Sequence, residues 1–270
     1  MPFPRISLGS LTVKILWLVL LLTVLFSVGY LSFNTGLDMA PHPYPLDFAL
    51  AWLAERPSMS IVQIGAYIGD TPNDPLFEFL QTQVPTRVAG GLKTKVVLVE
   101  PIREYFDQLT TNYAGLPGID FENLAISEHE GVIDMYRLNV DPTDYGFPEW
   151  VAQSSLKEER MEELSVPWER GEELQAFYRE HRVIEKVNSL PLGLLLERHE
   201  LRDLDLLQID AEGYDYEILK TLDFNQHKPR FINYERALLD EDEPACRQML
   251  MSHGYVLMDS RIDTLAILSS

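Results

Sequence analysis

The strongest constraint on this chain is an alternation. From Ser60 onward, short apolar runs take turns with stretches of helical spacing. VVLVE (Val96–Glu100), LDLLQID (Leu204–Asp210) and RFINYE (Arg230–Glu235) read as buried strands. IDFENLAIS (Ile119–Ser127) and VIDMYRL (Val132–Leu138) also have strand character. REYFDQLTTN (Arg103–Asn112), YEILKTL (Tyr216–Leu222) and PACRQMLMSHG (Pro244–Gly254) are helical. Strands joined through helices run parallel and need helices on both faces to bury them. The chain closes differently. YVLMD (Tyr255–Asp259), a polar turn through Ser260 and Arg261, and TLAIL (Thr264–Leu268) form a hairpin with no intervening helix. The expectation is an α/β fold whose mostly parallel sheet carries helices on both faces and one antiparallel hairpin at its end.

Two segments break the pattern. Ile15 to Phe33 contains no charged residue. At ~1.5 Å per residue, a helix of that length about spans a ~30 Å hydrocarbon core. Arg5 and Lys14 precede it, and Asp38, Asp47 and Glu55 follow it. This bias favours a short cytoplasmic N-terminus over residues 1–14, a transmembrane signal-anchor over 15–33, and a luminal or extracytoplasmic remainder. Ser27 and Gly29 also have the spacing of a signal-peptide cleavage site, but the apolar run continues past them, which favours the retained anchor. Residues 34–57 read as a proline-containing linker followed by a short amphipathic helix, Asp47–Glu55, stopped by Pro57. The second exception is Glu149 to Lys186, charged and aromatic, which reads as a helical insert serving as a solvated surface or as a lid.

Composition removes several function classes. The formal net charge of −20 repels a nucleic-acid backbone, so no nucleic-acid partner is expected. The one cysteine, Cys246, allows no intrachain disulfide and no cysteine zinc site, and reads as a buried inert thiol. No spaced metal-ligand cluster appears, so no metal is expected.

IVQIGAYIGD (Ile61–Asp70) is a strand entering a glycine turn. Gly65 and Gly69 lack Cβ, so a ligand can approach the backbone there, and the helix that follows offers free N–H groups. In DTPNDPLFEFL, Asp74 is placed to cap that helix and Pro75 to occupy its first turn. Glu100 ends the next strand, where open α/β sheets bind ligands, and a carboxylate there can hold both hydroxyls of a ribose or cap the helix after it. The glycine spacing is not that of a dinucleotide fingerprint, and Glu100 lies too far along the chain for one, so NAD is disfavoured.

VQIGAYIGD, VVLVEP, NLAISEHEGVIDMYRL, SSL at Ser154–Leu156, LLQIDAEGYDYEILK and HGYVLMD, in that order, resemble the FkbM family of S-adenosylmethionine-dependent methyltransferases. The most specific piece is Ile209-Asp210-Ala211-Glu212-Gly213, similar to the family's I-D-x-E-G signature. The resemblance implies a class I, Rossmann-like domain over residues 58–270, with a seven-stranded sheet and S-adenosylmethionine as cofactor. It implies that Gln63, Gly65 and Gly69 lie against the methionine part and that Glu100 binds the ribose. Asn123 and Ala125 would flank the adenine, and Asp210 and Glu212 would face the reacting centre. The chain departs from the family pattern at Gln63, where an acid is usual, at Gln208, where a lysine is usual, and at Asp215, where glutamate is usual.

A hydroxyl acceptor needs a base, and clustered carboxylates supply one. Glu212 is expected as base and Asp210 as positioner, with capping of the following helix as the competing role for Glu212. The expected activity is methylation of a hydroxyl on a glycan or small metabolite. The other reading is a binding or scaffold protein that keeps the fold without turnover.

Overall fold

Strand β1 (Ser58–Ile64) is an inner strand of the main sheet in a computed structural model that describes residues 45–71, 74–147, 154–158 and 171–269. It pairs in parallel with β2 (Lys93–Val99) on one side and β8 (Leu206–Ile209) on the other. Outward from β2 comes β3 (Ile119–Glu122), and outward from β8 comes β9 (Phe231–Glu235), both parallel. The hairpin β10 (Tyr255–Asp259) and β11 (Asp263–Leu268) completes a seven-stranded sheet in the order β10-β11-β9-β8-β1-β2-β3. Within it β11 alone runs opposite to the other six strands. The expected α/β fold with a reversed strand is present.

The strands are apolar on both faces because both faces are covered. On one side Ile61, Val96, Leu98, Leu206 and Phe231 pack with α1 (Pro45–Ala54), α2 (Pro75–Ala89) and α3 (Arg103–Asn112). On the other, Val62, Val97, Leu207, Ile209 and Ile232 pack with α5 (Leu192–Arg198), α6 (Asp215–Lys220) and α7 (Glu243–Ser252). In α1 the buried residues Leu46, Ala49, Leu50 and Leu53 follow the helical repeat, so one stripe faces the sheet. Buried Arg87 of α2 donates to the carbonyls of Leu53, Ala54 and Arg56, satisfying the end of α1. Cys246 is fully buried, and burial pushes its thiol up to about 12, as an inert core thiol requires.

The insert differs from expectation. Helix α4 (Gly171–His181) is present, but Arg182–Lys186 belongs to β7 (Arg182–Leu190), not to a helix. This strand pairs antiparallel with β5 (Gly131–Leu138) from Arg182 to Ser189. With β4 (Ala125–Ile126) and β6 (Ser154–Ser155) they form a second sheet in the order β4-β7-β5-β6. Consequently Ile119–Ser127 is not one strand: β3 joins the large sheet and β4 the small one. The charged residues of β7 disguised it. Arg137 pairs with Glu185 at 2.6 Å and Asp134 pairs with Lys186, so polar side chains meet across the strands.

The expected transmembrane segment 15–33 lies outside the described residues, and among those no helix is long and apolar enough to cross a membrane.

Two glycines hold the turn after β1. Gly65 has φ +77°, and a Cβ there would sit 1.8 Å from the Asp210 carbonyl oxygen. Gly69 also has φ +77°, and a Cβ there would sit 2.5 Å from the Tyr113 ring. Side chains can rotate away and main chains cannot. Gly65→Ala is therefore expected to destabilise by more than about 3 kcal/mol, and Gly69→Ala by about 1–3 kcal/mol. Midpoints of urea unfolding check both the losses and their order.

Candidate active site

The carboxyl ends of β1, β2 and β8 surround a cavity of about 470 Å³. Such ends are where an open α/β sheet leaves a crevice. Register brings the three chain turns together. The N–H groups of Gly65 and Ala66 both donate to the Val99 carbonyl at 3.0 Å, and the Asp210 N–H donates to the Ile64 carbonyl at 3.0 Å. The second sheet covers part of the opening: Met135, Ser154 and Leu156 line the same cavity as Gly65, Glu100 and Asp210. Ser155 ties that cover down, since its Oγ donates to the Glu212 carbonyl at 3.1 Å.

Glu100 is buried directly after β2. Its Oε2 accepts from the Tyr67 N–H at 3.0 Å and its Oε1 from the Ile102 N–H at 2.8 Å. The carboxyl group is thus held at both oxygens by main chain, with its remaining acceptor capacity available to the cavity it lines. The bond to Ile102, which precedes α3, means that Glu100 also steadies the start of that helix. Burial pushes the carboxyl up to about 8; the two N–H donors oppose that shift and Glu185 adds slightly to it.

Asp210 and Glu212 both line the cavity. Asp210 is exposed onto it. The chain crowding round its carboxyl, and then the charges of Asp215, Asp263 and Asp74, raise that carboxyl above the usual range. Glu212 has φ 51°, a left-handed backbone that a non-glycine residue adopts only when its surroundings enforce it. Asp215 is one such constraint. Fully buried at the start of α6, it accepts from the Ala211 N–H at 3.3 Å and the Glu235 N–H at 3.0 Å. Its shorter side chain still bridges the acid loop and the end of β9.

Gln63 and Gln208 are neighbours across β1 and β8, and both line the cavity. Each is more than nine-tenths buried and each has an Oε1 without a hydrogen-bond partner. The Gln63 amide donates to Asp74 Oδ2 at 3.1 Å. The opposite oxygen of Asp74 caps α2, accepting from the Leu76 N–H at 2.8 Å.

The sequence model of the methyltransferase FkbM domain matches residues 63–257. The chain belongs to the FkbM methyltransferase family. No curated protein matches it. The delta-N METTL16 MTase domain is a similar solved structure, 12% identical over 88% of this chain and 91% of that one, with a TM-score of 0.39. A putative methyltransferase from Thermoplasma acidophilum is 10% identical over 80% of this chain and 70% of that one, with a TM-score of 0.37. Aeropyrum pernix fibrillarin in complex with natively bound S-adenosyl-L-methionine is 10% identical over 82% and 73%, with a TM-score of 0.35. Scores this low carry no argument about chemistry, and the family assignment rests on the sequence match.

Of the residues that the FkbM resemblance singled out, the cavity gathers Gln63, Gly65, Glu100, Ala125, Asp210 and Glu212. Gly69 and Asn123 are not in its wall. Gly69 lies beneath the Tyr113 ring, and its missing Cβ serves that packing. The Asn123 amide instead donates to the carbonyls of Glu100 and Pro101, both at 2.9 Å, and so braces the loop that carries Glu100. The missing Cβ of Gly65 is likewise accounted for by the Asp210 carbonyl. Sequence reasoning did not place Tyr67, Tyr105 or Met135 at the cavity; the two tyrosine rings meet edge-on at 4.5 Å. It read Asp74 only as a cap, a role that was visible and that concealed the residue's second exposure.

The elevated Glu100 makes stability depend on pH. Its folded-state value of about 8 exceeds the ordinary 4.5. The folded state therefore binds the proton more tightly, and the associated stability is present below pH 4.5 and lost as pH rises through about 8. Glu100→Gln removes that loss. Its melting temperature relative to wild type is expected to climb by several degrees between pH 5 and 8, at ~2–4 °C per kcal/mol for a domain of this size. Parallel curves in a thermal unfolding series would refute the assignment.

Proposed function

We infer that this FkbM-family chain is an S-adenosylmethionine-dependent methyltransferase acting on a hydroxyl of a glycan or small metabolite. The observation that carries this reading is the charge of the cavity wall. Asp210, Glu212 and Asp74 line it beside Glu100, whose carboxyl keeps its proton below about pH 8 in the free protein, while no lysine, arginine or histidine does so among the described residues. Such a wall favours a cationic ligand and opposes a diphosphate, which speaks against a dinucleotide such as NAD. The cofactor's chemistry fits the residues present. The volume lies in the range of small-molecule sites, Glu100 offers acceptors for two hydroxyls, and the orphan oxygens of Gln63 and Gln208 call for donors.

When bound, the cofactor supplies a methyl group already activated on a sulfonium. The protein has to orient the acceptor, exclude water and take up a proton. Glu100 would hold the ribose hydroxyls, and Leu124, Ala125 and Ile126 supply apolar lining to the same cavity for the adenine. Asp210 is the better-supported proton acceptor, because it is exposed onto the cavity while crowding chain and neighbouring carboxylates raise its carboxyl. Glu212, in the same wall, positions the acceptor. The uncharged run 15–33 and its flanking charges support a single-pass tether with an extracytoplasmic domain.

Calorimetry on the full-length chain tests the cofactor. S-adenosylmethionine and its demethylated product are expected to bind, NAD is not, and Glu100→Ala is expected to weaken binding roughly ten- to a hundredfold. No heat with either sulfur ligand, or an unaltered Glu100→Ala, would overturn the reading. In sealed vesicles, a C-terminal tag shielded from protease together with an accessible N-terminal tag is the result expected for the tether.

A further inference from the structure

We propose that Asp74 supplies the carboxylate that receives the cofactor's α-ammonium group, together with the side-chain oxygens of Gln63 and Gln208. The assignment rests on the cofactor reading above and adds to it. Position 63, at the end of β1, is an amide, so this strand brings no charge to an ammonium. Asp74 reaches the same place from the cap of α2. Its Oδ2 lies 3.1 Å from Gln63 Nε2, and its side chain borders the cavity.

That bond orients the Gln63 amide. With Nε2 committed to Asp74, Oε1 is buried and lacks a partner. The Gln208 Oε1 beside it across β1 and β8 is in the same condition. A buried acceptor without a donor is costly, and a pair of them in one cavity wall marks the place of a ligand that donates. An ammonium has three donors and no acceptor, and this wall carries three acceptor groups. A metal ion is the poorer candidate, since no cluster of three metal-binding side chains occurs among the described residues. Burial raises the Asp74 carboxyl, so its charge is costly until a cation meets it. The substitution at position 63 is thus compensated from a different element, with Asp74 both capping α2 and receiving the ligand.

The test uses two ligands and two variants of the full-length chain. S-adenosylhomocysteine carries the ammonium, while 5′-methylthioadenosine has the same adenosine and thioether without it. Asp74→Asn keeps a capping oxygen, so the helix start is retained while the charge is removed. It is expected to weaken S-adenosylhomocysteine roughly ten- to a hundredfold, the size of a lost charged hydrogen bond, and to leave methylthioadenosine unchanged. Adding Gln63→Glu returns a carboxylate to the same wall and is expected to restore most of the lost affinity. Equal weakening of both ligands, no weakening of S-adenosylhomocysteine, or a folded double variant without recovery would overturn the proposal. Wild-type protein that binds neither ligand removes the cofactor reading as well. Wild type that binds both, with Asp74→Asn equally tight, removes this assignment alone.

Discussion

At the head of the sheet the main chain of Gly65 runs so near the carbonyl of Asp210 that no Cβ could enter the gap. Parallel pairing on both sides of β1 sets this distance. Val99, Ile64 and Ile209 end their strands level with one another, so the loops that leave them must crowd together. Crowding turns three separate stretches of sequence into one wall. Glu100, Asp210 and Gln63 share a wall because the chain ends its strands at the same height, and the turn after β1 can be made only where a side chain is absent.

Such a wall carries an electrostatic cost. Glu100 and, behind the wall, Asp215 are carboxyls stripped of water, Asp210 opens onto the cavity, and each is raised above its ordinary range. Main-chain N–H groups offset part of the cost at Glu100 and Asp215, and the wall has no basic side chain to offset the rest among the described residues. The free protein therefore carries an unbalanced site. A cation entering it would be stabilised by carboxylates that cannot relax away, which is preorganisation in its electrostatic form. The overall acidity of the chain points in the same direction but does not produce the effect, because surface charges are screened by salt and enclosed ones much less so.

The two sheets differ in how openly their residues announced them. In the large sheet, β1, β2, β8 and β9 are apolar on both faces and stand out as continuous runs. In the small one, β7 has Arg182, Glu185 and Lys186 on a half-solvated ribbon, charged as a surface helix would be. What makes Arg182–Leu190 a strand is its partner Gly131–Leu138, many residues away. The same holds for Asp74. Its capping position is local and legible, whereas its place beside Gln63 depends on where α2 lands against β1. Gly69 and Asn123 show the converse. Their motif context pointed to a ligand, and packing gave them work elsewhere, under Tyr113 and behind Glu100.

By itself the sequence determined the alternation of strand and helix, the reversed strand at the end, the family, and the carboxylates that close β2 and β8. These depend on periodicity, on turn residues and on motif spacing, all of which are properties of neighbours along the chain. Only the tertiary structure decided which polar groups share a surface: that Gln63 and Gln208 stand side by side, that Asp74 supplies a charge beside them, and that a second sheet covers the opening. Those juxtapositions arise from strand register and helix docking between distant segments, and no local pattern encodes the distance between two residues that meet only after the chain has folded.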